Sequence, residues 1–171
     1  MKNNVILIGM PGAGKSTMGV ILAKVMGYRF LDSDLIIQEQ EKRLLREIIE
    51  QEGQEGFLEI ENRVNASIRT ERSVIATGGS VIYGEEAMRN LQSIGTVVYI
   101  QLSYRTINER LGNIRQRGVV LKEGQSLYDL YEERCPLYQK YAHLIIDAEG
   151  MDTEKLMETI LERLNHTDLQ E

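Results

Sequence analysis

Apolar residues gather in five short runs, at residues 5–8, 28–31, 73–76, 96–102 and 144–147, and between them they return every three or four positions. Short β-rich runs read as strands, and the three-to-four spacing reads as amphipathic helix. Their alternation predicts parallel strands joined by helical crossovers: one α/β layer sandwich, doubly wound, with a five-stranded parallel sheet and helices on both faces. The first and third runs are apolar nearly throughout, as strands covered on both faces must be. A helix over about residues 153–164 sets Leu156, Ile160, Leu161 and Leu164 on one face, and residues 165–171 read as a frayed tail. No repeat, low-complexity tract or linker divides the chain, so residues 1–171 read as a single domain. In such sheets a ligand sits beyond the carboxyl ends of the strands. The segments to read for chemistry are therefore residues 9–14, 32–34, 77–80 and the region after Leu102.

The first of these is the most informative. Residues 9–17 read Gly-Met-Pro-Gly-Ala-Gly-Lys-Ser-Thr, directly after the first apolar run and directly before a segment of helical spacing. This is the G-x-x-x-x-G-K-[ST] phosphate-binding loop (P-loop, Walker A) in the strand–loop–helix context it requires. Gly9, Gly12 and Gly14 let the backbone curl so that successive N–H groups point at one anion. Lys15 adds a charge for the β- and γ-phosphates, Ser16 offers a hydroxyl to Mg²⁺, and the helix turns its positive end to the same place. Gly12, Ala13, Gly14, Lys15, Ser16 and Thr17 are thus the expected nucleotide-binding set, and the chain is expected to bind a nucleoside triphosphate.

The second run ends in Leu31-Asp32-Ser33-Asp34. Asp32 suits a water-coordinated Mg²⁺, and Asp34 suits accepting a hydrogen bond or a proton from an attacking hydroxyl. The same residues also make an ordinary helix start before Leu35. The third run leads into Thr77-Gly78-Gly79-Ser80, where two glycines let a substrate approach the backbone and Thr77 is placed to order the water shell of Mg²⁺. Residues 112–124 are bounded by glycines and carry Arg115, Arg117 and Lys122. A basic segment of this kind suits a lid that expels water and brings positive charge to a developing anion, although a solvated charged loop has the same composition.

Composition narrows the partners. A net charge of −6 argues against nucleic acid, so the cations that hold an anionic nucleotide must be gathered locally. The single Cys135 leaves no disulfide within the chain and suits a reducing cytoplasm. No apolar stretch approaches the ~18 residues of a membrane span, and the N-terminus enters the first strand without a signal-peptide pattern. The expectation is a cytoplasmic monomer acting on a small molecule. His143 and His166 have no metal-ligand partners at suitable spacing. Cys135 reads as a packed thiol, and the eight tyrosines read as rings packed with their hydroxyls in water.

The short chain, with GMPGAGKST at 9–17, LDSD at 31–34, TGG at 77–79 and Arg-Cys-Pro-Leu-Tyr at 134–138, resembles the shikimate kinase family over about residues 1–164. The resemblance implies a nucleoside-monophosphate-kinase-like fold and transfer of phosphate from ATP, with Mg²⁺, to a hydroxyl of a cyclic carboxylic acid. It implies that Asp34 orients or deprotonates that hydroxyl and that Glu61 lies near the same pocket. Arg134, expected near the end of a helix that begins around Ser126, where an arginine is commonly a cap or a surface charge, would by this resemblance bind the substrate carboxylate. Arg110 would lie over the adenine, and Arg117 in the lid would reach the transferred phosphate. Lys15, Asp34 and Arg117 are the catalytic set so implied.

Three positions depart from the family pattern. Leu58 stands where the family has an arginine that forms half of the clamp on the substrate carboxylate, and loss of such a partner typically costs about 2–5 kcal/mol. Arg63 is too far round the helix to replace it and is expected to pair with Glu59. Ser80 stands for a third glycine, narrowing the pocket floor and adding a hydroxyl, and Gly118 follows the lid arginine in place of proline. The phosphoryl-transfer parts are therefore intact while acceptor recognition is altered. Phosphorylation of shikimate is the leading expectation; alternatives are the same transfer to an amino acid hydroxyl or a polyol such as gluconate, and a nucleotide-binding module without turnover. No Asn-Lys-x-Asp guanine-reading segment occurs.

Overall fold

The computed structural model describes residues 3–112, 119 and 121–168, with no account of the side chains of residues 167 and 168. Five strands, β1 (Asn4–Ile8), β2 (Arg29–Asp32), β3 (Ser73–Ala76), β4 (Gly95–Gln101) and β5 (Leu144–Asp147), form one parallel sheet in the order β2-β3-β1-β4-β5. Every strand expected from the pattern is present within a residue or so. The two continuous apolar runs are β1 at the centre and β3 beside it, buried at every position, whereas the edge strand β5 alternates buried and exposed residues.

Seven α-helices are described: α1 (Lys15–Met26), α2 (Ser33–Glu41), α3 (Leu45–Ser67), α4 (Glu85–Ile94), α5 (Tyr104–Leu111), α6 (Leu127–Tyr141) and α7 (Thr153–Asp168). They cover both faces of the sheet; α1 packs with α7, and α3 with α4. Buried Asn4 ties the entry ends of three strands together: its amide donates to the carbonyls of Thr70 and Ile94 at 2.9 and 2.8 Å and accepts from the Ser73 N–H at 3.0 Å. Strand order reverses about β1, so the crevice at its carboxyl end is the natural ligand position.

Two expectations need revision. The last helix does not stop near Leu164: α7 continues to Asp168, and only residues 169–171 of the expected tail lie outside the described residues. Arg134 is not near the end of its helix, because α6 runs on to Tyr141 through Pro136. Apolar packing is also divided. Beside the main core, Ile37, Ile48, Phe57 and Val64 form a separate small cluster between α2 and α3, with Leu58 against it. Within α3, Gly53 sits at φ 72° and ψ 179°, a backbone state essentially reserved for glycine, so the element is two helical halves joined at a sharp break.

Candidate active site

A cavity of about 700 Å³ opens at the carboxyl end of the sheet. The phosphate loop forms one end. Gly12 and Gly14 have φ of 81° and 86°, which only glycine adopts cheaply, and Gly14 caps α1 so that the helix N-terminus faces the cavity. Lys15 is buried, and its ammonium donates to the carbonyls of Gly9 and Met10 at 2.7 and 2.8 Å. Burial lowers its pKa to about 8, against the opposing pull of Asp34. Ser16 and Thr17 line the cavity at the start of α1. Arg110, on α5, donates to the carbonyl of Gly12 at 3.2 Å, which places its guanidinium on the outer side of the loop.

Asp32 makes the helix start its sequence position suggested and also meets Ser16. Its Oδ1 accepts the Asp34 N–H at 3.0 Å, capping α2, while its Oδ2 accepts the Ser16 hydroxyl at 3.1 Å. The two residues expected at Mg²⁺ are thus brought together. Among the described residues there is no group of three or more His, Cys, Asp or Glu able to hold a metal. This donor set, one hydroxyl and one carboxylate beside a phosphate loop, fits Mg²⁺ bound mainly through phosphate oxygens and water rather than an all-protein cage.

The other end of the cavity is assembled from four separate elements. Asp34 comes from the first turn of α2, Glu61 from α3, Gly78 and Gly79 from the loop after β3, and Arg134 from the middle of α6. The glycines are required because atoms crowd both of them. A Cβ on Gly78 would sit 2.8 Å from Glu61 Oε2 and 2.9 Å from Asp34 Oδ1; one on Gly79 would sit 2.8 Å from Pro11 and 2.9 Å from Arg134 Nη1. Two carboxylates therefore meet the floor at Gly78 and a guanidinium meets it at Gly79. Thr77 is committed to the sheet, its hydroxyl donating to the Leu7 carbonyl at 2.8 Å.

Electrostatics distinguish the two carboxylates from ordinary surface acids. Burial, then the neighbouring Asp32, raise Asp34 to about 6, with Lys15 pulling the other way. Glu61 is almost fully buried; burial raises it to about 7, and Asp34 adds to the rise while the Ser80 hydroxyl bond opposes it. Ser80 donates to Glu61 Oε1 at 2.6 Å, so the extra hydroxyl is spent on Glu61 rather than offered to the pocket. Glu61 Oε2 is buried without a partner. A carboxylate near 6 beside a bound hydroxyl is suited to accept a proton at neutral pH.

Arg134 is buried rather than a surface charge or a cap, its Nε donating to the Tyr83 hydroxyl at 3.4 Å and its guanidinium lying 5.5 Å from the Tyr83 ring centroid. Leu58 lines the cavity wall. Arg63 does not pair with Glu59 as expected; it reaches across to Glu41 at the end of α2, because α2 lies alongside that face of α3. It takes no part in the cavity lining. Arg117 and most of the basic lid fall outside the described residues, although Val119 lines the cavity.

Sequence reasoning missed Tyr138 as a positioning group. Instead of sitting in water, its buried hydroxyl donates to the Gly79 carbonyl at 2.6 Å and fixes the turn against Arg134. Tyr131 likewise donates to the Leu102 carbonyl at 2.8 Å. The one available signal was the position of Tyr138 four residues after Arg134, on the same helical face. Cys135 is a packed thiol whose pKa is raised by burial.

A family model described as shikimate kinase matches residues 11–165 of the chain. The shikimate kinase of Clostridium botulinum (strain Eklund 17B / Type B) is 37% identical over 149 residues, which covers 85% of this chain and 88% of that protein. That of Sulfurihydrogenibium sp. (strain YO3AOP1) is 32% identical over 162 residues, covering 94% and 97%. Among solved structures, shikimate kinase from Acinetobacter baumannii in complex with shikimate superposes with a TM-score of 0.87 at 32% identity, covering 98% of this chain and 95% of that one.

Proposed function

Because the chain belongs to the shikimate kinase family, we propose that it transfers the γ-phosphoryl group of ATP to a hydroxyl of shikimate. The observation that carries this reading is the meeting of Lys15, Asp34 and Arg134 around one cavity. The loop amides and Lys15 hold the β- and γ-phosphates, and Arg134 holds the acceptor's carboxylate over the Gly78–Gly79 floor. Asp34 takes the hydroxyl proton as the acceptor oxygen bonds to phosphorus and the bond to the β-phosphate oxygen breaks, leaving ADP. Catalysis of this kind is positioning and charge stabilisation more than covalent chemistry. Ser16 and Asp32 are the groups that would hold Mg²⁺, which when bound neutralises charge on the phosphate oxygens. Arg110, fixed on the Gly12 carbonyl, is assigned to the adenine side, and Arg117 to the lid.

The reading extends to a cytoplasmic monomer. Donor and acceptor groups alike come from a single chain, and the lone Cys135 suits a reducing compartment. No described helix is long and apolar enough to cross a membrane. Leu58 in the cavity wall is the observation that favours a second reading, the same transfer to a different small alcohol. Release of ADP from MgATP, with shikimate against a blank at millimolar acceptor, separates the two. Shikimate-dependent turnover is expected; ADP release no faster than the blank discards shikimate and calls for a panel of amino and neutral alcohols.

A further inference from the structure

The arginines of the α2–α3 region divide into two kinds. Arg43 is engaged by Gln51, Glu52 and Glu41, and Arg63 by Glu41, so both fasten α2 to α3. Arg46, in the first turn of α3, makes no hydrogen bond or ion pair among the described residues. It lines the same cavity as Leu58, Glu61 and Arg134, but from the other side of the break at Gly53. Glu50, one helical turn on, also lines the cavity yet is not within ion-pair distance of it. Arg134 likewise has no carboxylate within that distance; its neighbour is the Tyr83 ring. Two guanidinium groups without anionic partners thus border one cavity, and Leu58, in the second half of α3, adds apolar wall to it.

Resting on the proposed phosphorylation of shikimate, we infer that Arg46 is the second cation of the acceptor pocket, binding the acceptor's carboxylate together with Arg134 in place of a charge at position 58. A guanidinium suits that task because its planar fork matches a carboxylate bidentately. The Gly53 break lets residues 46 and 58 border one cavity, whereas an uninterrupted helix would hold them on fixed bearings more than three turns apart. Arg46 is exposed, so its replacement leaves the fold intact.

The test compares the unmodified protein with Arg46→Leu, Arg46→Lys and the double variant Arg46→Leu/Leu58→Arg, with shikimate and its neutral methyl ester as acceptors. In Arg46→Leu the KM for shikimate should rise at least tenfold while that for the ester moves less than twofold. Arg46→Lys should keep part of the affinity, and Leu58→Arg should restore most of it. If the unmodified protein phosphorylates shikimate and Arg46→Leu leaves its KM within twofold, the function stands and Arg46 is an ordinary surface arginine. If shikimate is not phosphorylated but gluconate is, in an Arg46-dependent manner, the acceptor assignment falls and the role of Arg46 stands. Failure of both acids as acceptors overturns both.

Discussion

The two ends of the cavity are built on opposite plans. The phosphate end is a single stretch of chain, residues 9–17, strung between the central strand and the helix that follows it and seated on the main core. The acceptor end is gathered from α2, α3, the loop after β3 and the middle of α6, and two of those elements rest on a four-residue cluster of their own. The first arrangement is stiff, because its backbone is fixed by the sheet and its charge by the loop. The second depends on how α2 and α3 sit, and α3 is broken at Gly53. One plan conserves a reaction and the other lets its acceptor vary, since a change in one of four elements alters recognition without touching the phosphate loop.

The hardest test of that division is Lys15→Met. Removing the ammonium should lower kcat/KM for ATP by roughly 10³-fold, as loss of a preorganised charge on the transferring phosphate does. Thermal melting should change little, because the charge penalised by burial leaves together with its bonds to the Gly9 and Met10 carbonyls. Binding of shikimate in the absence of nucleotide, followed by titration calorimetry, should be nearly unchanged. A large loss of shikimate affinity would mean the two ends are one unit.

Asp34 stands at the seam, and its replacement comes next in size. Asp34→Asn should reduce kcat by roughly 10²–10⁴-fold, the usual worth of a positioned general base. The unmodified enzyme should show a bell-shaped profile of kcat/KM against pH. Below about 6 Asp34 takes up a proton and no longer accepts one, and above about 8 Lys15 loses its charge. Residual activity of Asp34→Asn should lack the acidic limb; an acidic limb that persists assigns it to another group, with Glu61 the nearest candidate.

The contrast also governs what could be read from residues alone. Strands, crossovers and the phosphate loop were legible because each is local: an apolar run, a glycine-rich turn and a helix start are written consecutively. Asp32 and Asp34 were legible for the same reason. Arg134 and Glu61 were reached only through family resemblance, since nothing in their neighbours says that Gly78 and Gly79 will bring them to one floor. Tyr138 carries no local sign of its role because its partner, the Gly79 carbonyl, lies far away in sequence. Helical i, i+4 spacing points Arg63 to Glu59, whereas its partner, Glu41, lies on another helix. The break at Gly53 was invisible, as a glycine inside a helical pattern is compatible with an unbroken helix.

Glu61 offers a test confined to the acceptor end. Its carboxyl is raised from 4.5 to about 7, so the folded protein binds more protons than the unfolded chain between those values, and stability falls as pH rises through that window. Ionising a carboxyl shifted by that much costs roughly 3 kcal/mol, fully felt above pH 7. Glu61→Gln retains an acceptor for the Ser80 hydroxyl and places an amide beside Asp34 in place of the unpartnered oxygen. It should melt higher than the parent at pH 8, and the advantage should vanish near pH 4. A gain that is equal at both pH values would mean Glu61 ionises normally.

The smallest effect expected is that of Gly53→Ala, and it probes the break itself. Open space surrounds the position, so a methyl group there meets no steric obstacle, and the whole penalty is backbone strain at φ 72° and ψ 179°. Holding alanine in that state costs on the order of 1–3 kcal/mol, part of which is relieved if the two halves of α3 shift toward a continuous helix. Either response falls on the lobe that carries Arg46, Leu58 and Glu61 and leaves the phosphate loop where it is. Gly53→Ala should therefore lower the melting temperature by a few degrees and raise the KM for the acceptor while the KM for ATP stays within twofold. A proportionate rise in both constants would show that α3 and the phosphate loop move together, and the division between a fixed donor end and an adjustable acceptor end would not hold.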